Sequence, residues 1–350
     1  MSNIEFGGFT LSRCGHTPVI AEIGVNHDGR LDRALELVRI AADCGADAVK
    51  LQIFQADRLM HGTSAFAQYQ KSNASAPTAT AMLRSYELSN EDAHAVVAEI
   101  RRLQMTPLAT PFSSEDVDHI VGLDLPAIKI ASPDIVNWPL LRRAARTNLP
   151  LLVSTGAANI NEISSAIAWL RGWKAIFVLL HCISAYPTRA ADANLCWIGE
   201  MEEHFGVPVG FSDHTTELMS GALAIAAGAV VVEKHLTYDC DADGPDHAAS
   251  CDPAQFAEYI RLIRIAEQMR GRSGKRVLEI ERDVRTVSRQ SLVAVRDIPP
   301  GHTIGENDLT VQRPGTGIPA SAMPSVVGRR SGHLIRAGEM LTWRIISDAA

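Results

Sequence analysis

His214 and His235 each close a strand-like run, VGFSDH and VVVEKH, and a short small-residue helix pattern joins the two runs. If these runs are parallel neighbours in one sheet, both imidazoles stand at the same end, close enough to share one divalent ion. Ser212, Asp213, Glu233 and Lys234 surround them as potential partners. An apolar strand that ends in a charged cluster is poor core material and good active-site material. A single histidine at a strand end is most simply a satisfied hydrogen-bonding group, but equivalent positions on successive strands favour a joint role. Two imidazoles lack the third protein ligand of a common catalytic zinc. They leave positions for water and substrate oxygens, which suits a six-coordinate Mn or Mg ion acting as a Lewis acid on a carbonyl.

Two lysines sit inside apolar runs, Lys50 in AVKLQIF and Lys129 in AIKIAS. A buried cation without a partner is costly, so an anionic ligand between them is the expected completion. Lys129 with Ser132, Ser154 and Ser212 forms a set suited to phosphate, a cation plus hydroxyl donors and backbone N–H groups. Lys50 is placed to take a carboxylate nearby. Other strand ends carry Glu22, Gln52, Thr110, Thr155, His181, Ser184 and Tyr186. A phosphate pocket beside a carbonyl-activating metal suggests carbon–carbon bond formation from a phosphorylated enol.

The elements that must position these groups alternate strictly. Strand-like runs at 18–24, 46–54, 105–112, 127–132, 150–156 and 175–184, followed by the two histidine runs, are separated by helical patterns. One such helix is capped by Ser89, with Asp92 three residues on, and another is ended by Gly45. Eight strand–helix units over residues 1–270 predict a (β/α)8 TIM barrel. An open doubly wound sheet is disfavoured because no glycine-rich fingerprint follows the first strand. The segment HGTSAFAQYQKSNASAPTATA is too long for a simple connection and is expected to form a substrate lid packed by Phe66, Tyr69 and Tyr86. Residues 271–287 turn charged and read as a partly helical linker, and 288–350 as a small, mostly β domain with turn-rich connections.

The net charge of -7 argues against a nucleic-acid partner. Six cysteines without a C-x-x-C pair read as reduced thiols of a cytoplasmic protein, and neither a signal peptide nor a membrane-spanning run is expected.

In this order, IAEIGVNHDG, GADAVKLQ, AQYQKSN, ATPF, KIAS, VSTG, CISAYPT, GFSDHT, VEKH and GPDHAAS resemble the N-acetylneuraminate (sialic acid) synthase family. The tail SLVAVRDIPPGHTI to LTVQRPGTGI resembles that family's antifreeze-like (SAF) domain. The resemblance covers nearly the whole chain. It implies a metal-dependent condensation of phosphoenolpyruvate with the open-chain aldehyde of an N-acylated mannosamine-type sugar, releasing phosphate by carbon–oxygen cleavage. It implies His214 and His235 as metal ligands and Lys50, Lys129, Ser132, Ser154, Ser212, Ser184 and Thr110 around phosphoenolpyruvate. Glu22 and Glu233 match acidic groups beside the reacting carbons, where one steers water onto an oxocarbenium-like centre. Tyr186 and Asp246 match sugar-side positions. Arg313 matches the SAF arginine that reaches a partner's site in a head-to-tail homodimer. Pro133 stands where the family usually has glycine, removing one N–H donor beside Ser132. The acceptor is expected to be N-acetylmannosamine, giving N-acetylneuraminate. The alternatives are a legionaminic-type diacetamido trideoxy sugar or a phosphorylated sugar giving the 9-phosphate, and, in a different class, a non-catalytic sugar-binding protein.

Overall fold

The computed structural model describes residues 4–61 and 78–347, so Phe66 and Tyr69 of the expected lid lie outside the described residues. Eight parallel strands close into a barrel in sequence order. They are β3 (Val19–Gly24), β4 (Ala48–Ile53), β5 (Thr106–Pro111), β6 (Ile128–Ile130), β7 (Leu151–Ser154), β8 (Phe177–Cys182), β9 (Val209–Asp213) and β10 (Val232–His235). β10 pairs with both β9 and β3, which closes the ring. The helices between them are α1 (Leu31–Asp43), α2 (Asn90–Arg102), α3 (Ser114–Gly122), α4 (Trp138–Ala145), α5 (Ile160–Gly172), α6 (Cys196–Phe205), α7 (Ser220–Ala227) and α8 (Pro253–Arg270).

The helix signals in the sequence are the ones the structure uses. In α1 the buried residues Ala34, Leu37, Val38 and Ala41 recur at helical spacing, and Gly45 beyond its end takes a left-handed φ of 85°. Ser89 caps α2 by accepting the Asp92 N–H. Asp252 and Gln255 form a capping box on α8, with Pro253 in the first turn. Such caps contribute about 1 kcal/mol each.

Strand alternation divides the barrel interior into an apolar floor and a polar mouth. Ile20, Ala48, Leu108, Leu152, Leu180 and Val231 form one buried cluster at the floor. Two residues further along the same strands stand Glu22, Lys50, Thr110, Ser154, Cys182 and Glu233, on the same inner side one layer up. The floor is sealed by a hairpin that sequence reading did not anticipate, β1 (Ile4–Phe6) paired with β2 (Phe9–Leu11). Its Ile4, Phe6 and Leu11 are buried in the floor cluster. Each contributes about 1.5–3 kcal/mol of apolar burial. With one end plugged by hydrocarbon, polar chemistry is confined to the other.

The chain divides into two compact units, Met1–Arg272 and Ser273–Ala350. In the second, the charged stretch forms a turn at Glu279–Glu281 and a helix at Arg282–Ser288. Beyond it, β11 (Ser291–Ala294) pairs antiparallel with β12 (Leu309–Gln312), and β13 (Arg330–Ser331) with β14 (Ile346–Ser347). The core of this unit is thin, built on Leu292, Ile298, Ile304, Val326, Ile335 and Leu341. Asp308 tightens it by accepting from Gly305 N–H at 2.9 Å, Arg296 Nε at 2.7 Å and His302 Nε2 at 2.9 Å. Among the described residues no helix is long and apolar enough to cross a membrane, and all six cysteines are free thiols.

Candidate active site

Glu22, Lys50, Thr110, Lys129, Ser132, Ser154, Tyr186, Ser212, His214, Glu233 and His235 line one pocket at the C-terminal mouth of the barrel. Lys50 and Lys129 are 4% and 3% exposed, so both cations are out of water. The anion expected between them from the sequence is in part supplied by the protein itself. Lys50 Nζ stands 2.6 Å from Glu22 Oε2, donates to Thr110 Oγ1 at 2.9 Å and lies 3.7 Å from Glu233 Oε1. Lys129 Nζ lies 3.6 Å from the same Glu233 oxygen. Glu233 is therefore the carboxylate between the two lysines, and Ser212 Oγ donates to it at 3.0 Å. Alternate positions on β4 and β6 face the interior, and Glu22 and Glu233 arrive from β3 and β10 on the same layer.

The two carboxylates are driven apart electrostatically. Burial, reinforced by the charge of Glu233, pushes Glu22 above the usual carboxylate range against the pull of Lys50. Burial pushes Glu233 the same way, but Lys129, Lys50 and the Ser212 hydroxyl outweigh it and hold Glu233 low. Burial likewise depresses Lys129, with only partial relief from Glu233, whereas the Glu22 and Glu233 charges overcome burial at Lys50 and raise it. Two carboxyl groups whose surroundings separate their affinities for a proton are an acid and a base in waiting.

A cradle of small polar groups flanks Lys129. Gly156 N–H donates to Ser132 Oγ at 3.0 Å, and Ser132 Oγ lies 3.4 Å from Cys182 Sγ. A Cβ on Gly156 would stand 2.4 Å from Ser184 Oγ and 2.8 Å from Ser132 Oγ, so the two hydroxyls converge on this glycine although Ser184 itself is exposed. Ser154 Oγ is buried with no hydrogen-bond partner. Pro133 occupies the first turn of a 3-10 helix, Ser132–Val136, where its missing N–H has no intrahelical acceptor to lose.

The two imidazoles meet as expected, with ring centroids 5.4 Å apart. His214 Nδ1–H donates to Ile183 O at 2.8 Å, which leaves Nε2 with its lone pair. Burial and the neighbouring His214 and Lys50 keep His235 well below its usual pKa and hence neutral. Its Nδ1 is buried without a hydrogen-bond partner, 3.9 Å from Asp246 Oδ2. Burial and the Glu22 charge push Asp246 up to about 6. Among the described residues no third His, Cys, Asp or Glu joins them in a metal-binding group. Against burial, Cys182 and the Ile183 carbonyl raise His214 above the usual imidazole range, so an ion bound there displaces its second proton. With His235 neutral and one of its nitrogens orphaned, the pair fits an ion that takes its other ligands from water and substrate. Tyr186 packs over His214 at 4.0 Å and meets His235 edge-on at 5.9 Å. Its loop is anchored by the Thr188 N–H donating to His214 O at 2.8 Å.

Strand alternation removes three of the sequence candidates. Asp213 and Lys234 are fully buried on the outer side of the barrel, behind the histidines rather than beside them. His181 also faces outward, bonded to Ala193 O at 2.8 Å. Its neighbour Cys182 faces the pocket and was missed. The signal for it was positional: alternation that turns His181 outward turns Cys182 in. Arg313 belongs to the second unit, where it is exposed just after β12.

A more apolar chamber adjoins the pocket and shares Gln52, Phe112, Tyr186 and His235 with it. Val25, Phe54, Leu59, Met60, Met82, Leu83 and Pro245 wall it, and Asp134 and Asp246 are its carboxylates.

Comparison with known proteins accounts for this arrangement. The NeuB family model matches residues 37–275 and the SAF domain model residues 289–344. An N,N'-diacetyllegionaminic acid synthase of Legionella pneumophila is 39% identical over 335 residues, covering 94% of both chains. Its counterpart in Campylobacter jejuni is 36% identical over 329 residues, covering 93% of this chain and 98% of that one. The crystal structure of a sialic acid synthetase from Leptospira borgpetersenii, in complex with citrate, superposes with a TM-score of 0.73 at 28% identity, covering 81% of this chain and 95% of that one. With its (β/α)8 barrel and its SAF unit, the chain belongs to the NeuB family, the carbon–carbon condensing synthases of sialic and related acids.

Proposed function

We propose that this enzyme condenses phosphoenolpyruvate with the aldehyde of an N-acylated mannosamine-type sugar, giving a nine-carbon 2-keto sugar acid and phosphate. The observation that carries the reading is the convergence of two buried lysines, two carboxyl groups of opposite proton affinity, and two imidazoles on one pocket. Lys129 with Ser132 and Ser154 holds the phosphate, and Lys50 with Thr110 holds the carboxylate. When bound between His214 and His235, a Mn or Mg ion supplies Lewis acidity toward the aldehyde oxygen. The methylene carbon of phosphoenolpyruvate attacks the aldehyde carbon, and Glu22 supplies the proton for the new hydroxyl. Glu233 takes a proton from the water that adds to the second carbon, and the resulting tetrahedral centre collapses to the ketone, its hydroxyl proton leaving with the expelled phosphate. The fixed lysines stabilise the charge that moves through these steps without reorganising.

The chamber wall favours one acceptor. No lysine or arginine lines it among the described residues, which disfavours a phosphorylated sugar, while its apolar side chains suit the methyl and acetyl groups of a diacetamido trideoxy sugar. The legionaminic-type acceptor therefore replaces N-acetylmannosamine as the preferred substrate, in keeping with the two relatives named above. Phosphate release from phosphoenolpyruvate, measured over these three sugars with and without Mn, tests the reading. The highest kcat/KM is expected for the diacetamido sugar, and no release with any acceptor would overturn the condensation.

A second copy of this chain completes the site. Val277, Leu278, Ile280 and Val284 are exposed apolar residues in the stretch leading to the SAF sheet, and Arg313 is exposed beyond it. Mixing inactive Arg313→Ala and His235→Ala chains restores part of the activity if Arg313 acts across a dimer and none if it acts within its own chain, and an Arg313→Ala chain that is active alone has no part for Arg313 in the site.

A further inference from the structure

The imidazoles that line the pocket are carried by backbone whose outer side is strapped by a buried charged network. On the paired strands β9 and β10, Asp213 stands opposite Lys234 in register, one residue before His214 and His235 respectively. Both side chains are 0% exposed. Lys234 Nζ lies 3.1 Å from Asp213 Oδ2 and donates to the carbonyl of Thr215. Asp213 Oδ1 accepts the Thr215 N–H at 2.8 Å. Its other oxygen accepts from Ser220 Oγ of α7 at 2.5 Å and from Tyr259 OH of α8 at 2.9 Å. The Tyr259 ring packs under the ammonium, 5.3 Å from Nζ. Gly221 makes room for that ring, since a Cβ there would stand 2.6 Å from Tyr259 OH.

His214 is thus enclosed in a loop pinned on both sides. Asp213, before it, accepts the N–H of Thr215, and Lys234, before His235, donates to the carbonyl of the same Thr215. The Lys234 contacts fix one strand end against the other, the Asp213 bond to Thr215 N–H closes the turn around His214, and Tyr259 ties both strands to the helical layer. A buried ion pair adds little net stability over well-packed apolar residues, so its use behind a site is better explained by the geometry it imposes. We infer that Asp213, Lys234 and Tyr259 are positioning residues that set the spacing of the His214 and His235 rings and so the affinity of the pair for a divalent cation. This rests on the reading of those two imidazoles as ligands.

The test measures Mn2+ binding to the full-length protein by the loss of the free-ion electron paramagnetic resonance signal, beside thermal unfolding and kcat and KM. Wild type is expected to bind one Mn2+ that His214→Ala abolishes. Tyr259→Phe, which removes only a hydroxyl and is expected to fold, weakens Mn2+ binding, and Lys234→Met weakens it by about 10-fold or more where it folds, the range typical of lost support behind ligands. In Tyr259→Phe the turnover at limiting Mn2+ falls and is recovered as Mn2+ is raised toward saturation. Unchanged Mn2+ affinity in a folded Tyr259→Phe protein, with only its melting temperature lowered, would overturn the inference and leave the ligand assignment standing. Wild-type protein that binds no Mn2+ sensitive to His214→Ala would overturn both.

Discussion

Gly156→Ala adds one methyl group to the centre of the proposed phosphate cradle. Its Cβ would stand 2.4 Å from Ser184 Oγ, 2.8 Å from Ser132 Oγ and 3.1 Å from Cys182 Sγ, whereas ordinary contact begins near 3.4 Å. Overpacking of this kind costs roughly 1–3 kcal/mol. The cost here falls near the lower bound, because Ser184 is exposed and rotates away into solvent. Ser132 is less free, being held by the Gly156 N–H at 3.0 Å and packed on Cys182. Moving the Ser132 hydroxyl off a bound phosphate forfeits a hydrogen bond to a charged group, about 1.5–3 kcal/mol. A loss of about 3 kcal/mol corresponds to about 100-fold in kcat/KM for phosphoenolpyruvate. Steady-state phosphate release, with a denaturation curve for each variant, separates the two effects. A kcat/KM within about threefold of wild type would refute the placement of the phosphate. The Ser132→Ala and Gly156→Ala losses are also expected to be less than additive, because both remove the same contact.

Glu233→Gln removes the anion between Lys50 and Lys129 and the proposed base together. It is expected to leave the KM for phosphoenolpyruvate unchanged or lower while kcat falls about 100-fold or more, and a raised KM with unchanged kcat would contradict the role. His27 is buried, and burial lowers its pKa to about 4. The unfolded chain therefore binds this proton more tightly, so stability is full above pH 6.5 and is lost as pH falls from there toward 4, by about 3 kcal/mol. Urea midpoints at neutral pH and near pH 4.5 check this, with a flatter dependence expected for His27→Asn. Asp308→Ala breaks the clasp on Gly305, Arg296 and His302 and is expected to cost the second unit about 1–3 kcal/mol. Hydrogen exchange would show the loss in Ser273–Ala350 and not in the barrel.

Period-two and period-3.6 patterns carried the barrel into plain view, because a closed parallel barrel repeats one instruction eight times. The β1–β2 hairpin was not visible, since three-residue strands show too little alternation to stand apart from loop. Site residues were legible where polarity interrupted an apolar strand, as at Lys50 and Lys129. Which way each strand-end residue points was not, because the strands end irregularly and one residue of register decides between pocket and helix layer. That is why Asp213, Lys234 and His181 were grouped with the pocket and Cys182 was not. The pairing of the lysines by Glu22 and Glu233 was invisible for a different reason. It depends on β10 closing against β3, a contact between the two ends of the barrel sequence.

Charge balance links the pocket to its ligands. Two ammonium groups face two carboxyl groups, so the protein alone brings close to zero net charge, or one positive charge if Glu22 is protonated. Phosphoenolpyruvate brings a carboxylate and a phosphate, together about three negative charges near neutral pH. An anion of that charge in a desolvated mouth requires further positive charge, and His214 with His235 is where the site has room for it. Binding of a divalent ion and of phosphoenolpyruvate must then be mutually favourable, by about 1–3 kcal/mol, and equally so in either order. Isothermal titration of phosphoenolpyruvate into protein with excess Mn2+ is expected to give a Kd about 10-fold or more tighter than in chelator. The same factor is expected for Mn2+ with and without the enol. Equal affinities in the two conditions would place the ion and the anion in separate electrostatic environments and would remove the histidines from the reaction centre.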